Sequence, residues 1–578
     1  MARYIVRQGD TLTAIAARFG VGLAALTTAN PQITDPNRIF AGQIITIPGL
    51  IPAAGPAYVV QQGDTLTAIA ARFGVGLAAL TTANPQITDP NRIFPGQIIT
   101  TSAVAVTYVR HDIWTLDQQN HWHPTIHAYA RGISVMQQRA ATDPTSWDYQ
   151  AAVHGMTPDP LDGFRSQCQH RSWFFGSWHR MYLYWFEQMV RAAIQHLPDI
   201  DDETKRTWAL PYWNYSNPDE SDDSRRKLPK AFLDVTLPDG ITPNPLRDPT
   251  RFMNDGSAMP AQVVRLAAAL APVTFAGPGG FAGGKTAFNH FAEDPNAAAG
   301  PLEQTPHNVV HGQVGGNMGG FDTAGLDPIF WLHHANIDRL WDVWLGQPGR
   351  ANSTEAAWLT GLTFKFHDEN AVPQTQQSKD VTDQQLDYVY EDISVPGPDQ
   401  EAAVVETEQP AFPPALVGAT EEPFALTGDT LTISFGISPP EGPLAEAEAD
   451  AAPSRVFLDL ADITSSDIPG ATYGVYVNVP DGDPATDDEH YVGNAAFFGI
   501  ETLGRPDSEH AGMRLIYDIT DLYNRLNAAG QWSDQVSVTF VAQYLERPAG
   551  PIELPAGESV PAQQPGNVRV GRIGLFLQ

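Results

Sequence analysis

Six histidines fall into two sets of three, His154, His170 and His179, then His307, His311 and His334. Each lies among aromatic and apolar residues, in YQAAVHG, CQHRSWFFGSWHRMYLYWFE, PHNVVH and DPIFWLHHANIDRLW. Three neutral imidazoles converging on one point make a good site for copper, zinc or iron. Two such sets in a chain with a single cysteine point to a paired metal centre. That favours oxygen chemistry over generic hydrolysis.

The elements that carry these residues must bring them together. His307 and His311 are four apart, which places both rings on one helical face, and Pro306 suits the first turn of that helix. Many helices with this spacing bind no metal, so the pair alone is only moderately specific. His334 lies beyond the glycine-rich GQVGGNMGG, on the next helix. Phe330, His334, Ile337, Trp341 and Trp344 share one stripe of that helix, whereas His333 lies about 100° away around it. His334 is therefore the expected ligand and His333 a neighbour. His170 and His179 are nine apart, on opposite faces of any continuous helix. They can share a metal only if a helix starts between them, and Gly176 and Ser177 offer that start. His154 then arrives from an earlier helix, WDYQAAVH, ended by Gly155.

The 578 residues are enough for three or more domains. A formal charge of -32 argues against nucleic acid and anionic membranes as partners. No apolar run is long enough to span a bilayer. One cysteine, Cys168, excludes an intrachain disulfide. The opening MARYIVRQGDTL lacks the apolar core of a Sec-type signal, so export by that route is not expected.

The chain begins with a near-exact tandem repeat at an offset of 54. Tyr4 to Thr46 and Tyr58 to Thr100 differ at three positions. Each copy reads as strand, helix, helix, strand. Asp10 and Asp64 are placed as N-caps, Gly20 and Gly74 as helix ends, and Pro31 and Pro85 as stops. The linker LIPAAGPA is short and proline-containing. The boundaries expected are 1–50 and 57–102 for the two repeats and 104–392 for a mainly helical histidine-bearing domain. An acidic, proline-rich linker follows at 393–425, then a C-terminal β-sandwich of short strands at 426–578.

The repeats, with GDTL, N-P and PGQ-I signatures, resemble LysM modules. That resemblance implies a small βααβ fold binding peptidoglycan or chitin-type glycan, and points to the cell envelope; a spacing role without glycan is the other reading. The central blocks resemble the type-3 copper proteins: tyrosinases, plant-type catechol (polyphenol) oxidases and mollusc haemocyanins. They are H-x8-H followed by R-x-YL-x-x-FE, and PHN-x-VH followed by DPIFW-x-HH-x-N-x-DR-x-W. The resemblance implies a four-helix bundle with two copper ions, CuA on His154, His170 and His179 and CuB on His307, His311 and His334. O2 is the implied co-substrate, used to hydroxylate monophenols and to oxidise o-diphenols (catechols) to o-quinones.

Further positions match family features. Cys168 stands where fungal and molluscan members link a cysteine to the second CuA histidine by a thioether; a buried thiol is the alternative. Phe321, in MGGFDTAG, matches a phenylalanine overhanging CuA; a core aromatic is the alternative. Glu303 and Asn308 match a carboxylate and amide that hold a water as base for phenols; helix-capping and surface roles are the alternative. Arg110 and Tyr388-Val389-Tyr390 match a structural pairing. The tail, with YGVYVNV and NAAFFGI, resembles the shielding domain of plant polyphenol oxidases, although Tyr473-Gly474 stands where that pattern has Phe-Asp. This implies a latent zymogen, an exposed cleavable linker, and a plug at Phe497 or Phe498. Competing readings are a catechol oxidase with diphenolase activity only, and a haemocyanin-like oxygen carrier. A single catalytic unit with LysM heads disfavours the carrier.

Overall fold

The computed structural model describes residues 108–578 apart from 217–218, 278, 288–296, 383–385, 395–414, 439–454, 481–483, 485–486, 503–511, 549–553 and 556. Before residue 108 it describes 2–5, 11–13, 26–27, 30, 33, 35, 38–39, 44–47, 57–60, 66, 69, 87, 93 and 98–100. Two compact units result, one of residues 1–108 with 387–389, the other of the remainder.

In the first unit each repeat closes on itself. Ala2–Ile5 pairs antiparallel with Ile44–Ile47, and Ala57–Val59 with Ile98–Thr100. Residues 12–13 and 26–27 are helical, and Leu12, Leu26 and Ile33 are buried. The second copy has a small core of Val60, Leu66, Ile69 and Ile87. The expected caps and stops (Asp10, Asp64, Gly20, Gly74, Pro31, Pro85) and linker residues 50–56 lie outside the described residues.

The second unit holds five helices that matter for the site: α1 (Pro124–Gln137), α2 (Trp147–His154), α3 (Phe175–Ile194), α4 (Val309–Val314) and α5 (Pro328–Leu345). α3 packs against both α1 and α5. Gly132 permits the first contact, since a Cβ there would sit 2.8 Å from Val190 Cγ1. Phe186 stacks on Trp331 in the second. α5 starts where Pro328 supplies a helical φ and the Asp327 carboxylate accepts the Ile329 N–H at 2.9 Å. Arg251 pins that carboxylate at 2.6 Å, with both side chains fully buried.

A buried ion network ties α3 to α5. Asp338 accepts from Arg180 Nε at 2.5 Å and from the Tyr390 hydroxyl at 2.6 Å. Arg110 reaches Glu187 at 2.6 Å and Asp338 at 3.3 Å, and its guanidinium lies 5.5 Å from the Tyr390 ring. The structural role read for Arg110 and Tyr390 holds, as ion pairing plus a ring contact.

The tail is two antiparallel sheets around one apolar core. The larger runs Phe424–Leu426, Val568–Val570, Val456–Ser465, Arg572–Leu577, Ala415–Ala419, with Met513–Asp518 also paired to Val456–Ser465. The smaller runs Leu431–Gly436, Gln535–Gln543, Thr472–Val477, Tyr491–Ala495.

Two expectations need correction. Residues 415–419 and 424–425, assigned to the acidic linker, lie in strands of the larger sheet. Their partners are the last strands of the chain, a pairing that local composition does not reveal. The expected strand NAAFFGI ends at Ala495, and the two phenylalanines enter a turn. α1 and the tail helix Thr520–Ala528 went unread. α3 begins at Phe175, slightly before Gly176–Ser177, still between His170 and His179.

Candidate metal centre

α2 ends on His154, the loop before α3 carries His170, the first turn of α3 carries His179, and α5 carries His333 and His334. His307 and His311 follow a kink at Thr305, after which the backbone is helical through α4. The sequence-predicted residues meet. His154, His170 and His179 form one group, and His307, His311, His333 and His334 another, each with ligand atoms within 4.8 Å of one another. The groups face each other, His179 and His334 stacking with ring centres 4.4 Å apart. His333 enters the second group as an unexpected member, packed against Tyr215 and His307.

Backbone carbonyls set the tautomers. His154, His179 and His311 each offer Nδ1–H to a carbonyl oxygen: Phe321 at 3.2 Å, Phe175 at 2.8 Å and Met318 at 2.7 Å. His307 Nδ1 offers its proton to Asn308 Oδ1 at 2.9 Å. The Nε2 atoms are thereby left as lone-pair donors facing inward. Nε2 of His179 and of His307 has no hydrogen-bond partner among the described residues, and Nε2 of His311 and of His334 approach to 3.3 Å. Burial drives the imidazoles well below their usual pKa, His179 to about 3, so the rings are neutral. Neutral imidazoles in two adjacent groups, without carboxylate ligands, suit a pair of copper ions.

Around them, Cys168 Sγ lies 3.4 Å from His170 Nδ1. Phe321 is buried, its ring 5.1 Å from His154 and 5.5 Å from His170. Gly155 is required beside it, because a Cβ there would fall 2.7 Å from the Phe321 carbonyl oxygen. Glu303 is buried and accepts the Arg171 N–H at 2.8 and 2.9 Å. Arg171 adopts a left-handed φ of 51°. Burial pushes the Glu303 carboxyl up to about 8, against the lowering effect of that N–H.

The tail reaches into this pocket. The Phe498 ring stacks on His311 at 3.9 Å and 20°, and lies 5.5 Å from His170 and 5.7 Å from His307. Phe497 instead joins the tail core, against Tyr473. Of the two plug candidates, only Phe498 occupies the pocket. Only a small space remains beside it, lined by Glu303, Asn308, Phe321 and Arg171 among others. Glu501, three residues after Phe498, accepts the Phe321 N–H at 2.6 Å; no sequence pattern flagged it.

Residues 144–347 match the common central domain of tyrosinase. A tyrosinase of Hahella sp. (strain CCB-MM4) is 34% identical over 458 residues, covering 72% of this chain and 93% of that one. The chain belongs to the tyrosinase family. It is a copper-dependent oxidoreductase, and its two histidine groups fit the two copper ions that tyrosinases bind. A chloroplastic polyphenol oxidase of Vitis vinifera is 34% identical over 298 residues, 46% of this chain and 45% of that one. Latent apple tyrosinase shares the fold with a TM-score of 0.54 at 24% identity, over 82% of this chain and 97% of that one. The remaining regions match LysM domains at 4–48 and 58–102 and a domain of unknown function at 413–578. No helix among the described residues is long and apolar enough to cross a membrane.

Proposed function

We propose that this tyrosinase-family enzyme is a latent monophenol and o-diphenol oxidase, masked by its own tail and carried to glycan by its LysM modules. In this reading CuA is held by His154, His170 and His179 and CuB by His307, His311 and His334, on four helices forming a bundle. Bound copper would supply the electron transfer by which O2 oxidises the phenol. His333, on the flank of α5, packs behind the ligand set.

The observation that carries the proposal is Phe498, an aromatic ring stacked on His311 where a phenol would stack. While it stays there a substrate ring is excluded. Once it leaves, the phenol meets Glu303 and Asn308. Asn308 Oδ1 is spent on orienting His307, which leaves its amide N–H groups to hold a water that Glu303 can deprotonate. That supports monophenol hydroxylation. Phe321 favours the narrower catechol oxidase reading, because its ring crowds the CuA side. The Cys168–His170 approach is compatible with a thioether. The repeats, as βααβ modules, would bind peptidoglycan or chitin.

The test compares the copper-loaded full chain with its Phe498→Ala variant on catechol and tyramine. Unmasking by the variant, at least tenfold on catechol, supports latency through this ring. Equal rates reject it, and catechol turnover without tyramine turnover reduces the enzyme to a catechol oxidase. A pull-down on peptidoglycan or chitin with and without residues 1–102 tests targeting; equal recovery rejects it.

A further inference from the structure

Behind His179 lies a small, narrow void. Its walls include Phe175, Phe281, Leu302, Ile337 and Trp341, with Ala282 nearby. Asp338 is the lone carboxylate in the lining, and it is engaged by Arg180 and Arg110. Apolar cavities of this kind stay dry and take up small apolar molecules, xenon included.

We propose that this void is a docking and entry site for dioxygen, separate from the mouth used by the phenol. The proposal rests on the dicopper reading above. Three observations carry it. The lining is apolar, which suits an apolar diatomic and disfavours water. The void touches His179, whereas the Phe498 ring bears on His154, His170, His307 and His311. Phe175 forms a shared wall, lining the void while its ring sits 4.7 Å from His179 and 4.8 Å from His307. In this proposal rotation of that ring is what would join the void to the copper pocket. Toward solvent the void is covered by a loop whose Phe281 and Ala282 N–H groups bond to Thr274 and Phe275, with Val273 and Ala276 half-buried beside it. Dioxygen can thus reach the metals while a phenol, or Phe498, fills the other side.

Crystals of the full chain pressurised with xenon give a readout independent of turnover. Xenon density between Phe175 and Leu302 is expected, and its absence overturns the proposal. Two blocking variants, Ala282→Leu and Ile337→Phe, are then compared in a Phe498→Ala background by oxygen electrode. Both should lose the xenon and lower kcat/KM for O2 several-fold while KM for catechol stays unchanged. An unchanged oxygen dependence in either variant, with copper content and folding intact, also overturns it. A copper-loaded Phe498→Ala chain that oxidises no catechol would count against the phenol-oxidase reading, whereas the xenon density alone decides whether the void takes a gas.

Discussion

Glu303 is a carboxyl poised by burial rather than by a charged partner, and at about 8 it is mostly protonated at neutral pH. A base must shed that proton first. Tyramine hydroxylation by an unmasked enzyme should therefore rise with pH along a limb below about 8, since copper cations nearby pull the carboxyl down. Glu303→Gln should remove the limb and cost roughly 10²-fold in tyramine hydroxylation, with catechol oxidation largely kept; pH–rate profiles on both substrates check this. The histidines set a second pH effect. Their folded pKa values lie below the unfolded 6.5. Between the two values the unfolded chain binds more protons. Stability is therefore fully present above 6.5 and is lost as pH falls below it. Melting of the copper-free protein should drop steadily from pH 6.5 toward pH 4, and bound copper should steepen the loss because protons compete for the same nitrogens. A flat melting profile over that range would reject this account.

At the scale of elements, α3 and α5 are joined by charge as much as by packing. Asp338 neutralises Arg180 and Arg110 and accepts from Tyr390. Asp338→Ala would take one of two carboxylate partners from each guanidinium, leaving Arg180 with Asp342 and Arg110 with Glu187, and would remove the acceptor of the Tyr390 hydroxyl; it should cost about 1–3 kcal/mol, read as a shift in denaturant midpoint. This level also shows what sequence makes legible. The six histidines were readable because helical periodicity and intervening glycines fix which rings converge. The unread α1 carries the same signal, since Ile126, Tyr129, Ile133 and Met136 fall at helical spacing on its buried face, with Gly132 among them. Phe497 and Phe498 could not be separated while NAAFFGI read as a strand. Which ring points inward depends on where the strand stops, and it stops at Ala495. Ala415–Ala419 was hidden for another reason, since its partner Arg572–Leu577 is the far end of the chain.

At the scale of the second unit, the tail is fastened to the catalytic region far beyond the plug. Gln313 is fully buried and donates to Thr472 Oγ1 and the Gln543 carbonyl, both at 3.0 Å. Arg226 pairs with Glu546 at 3.0 Å, Arg547 with Asp255 at 2.6 Å, and Arg247 with Glu558. Ala258 and Glu546 exchange backbone hydrogen bonds. Cutting the chain between 395 and 414 should therefore leave both halves eluting together on size exclusion, with activity still masked until detergent or acid separates them. Immediate dissociation on cleavage would contradict this. The seat of Phe498 on His311 has one more consequence. A tethered ring and a free phenol contend for the same face, and the tether keeps its ring at a local concentration no dilute phenol can match. Residual turnover of the uncut enzyme then measures how often the tail breathes open. Its apparent KM should exceed that of the trimmed enzyme by the reciprocal of the open fraction, making the ratio of two Michaelis constants a gauge of how firmly this chain holds itself shut.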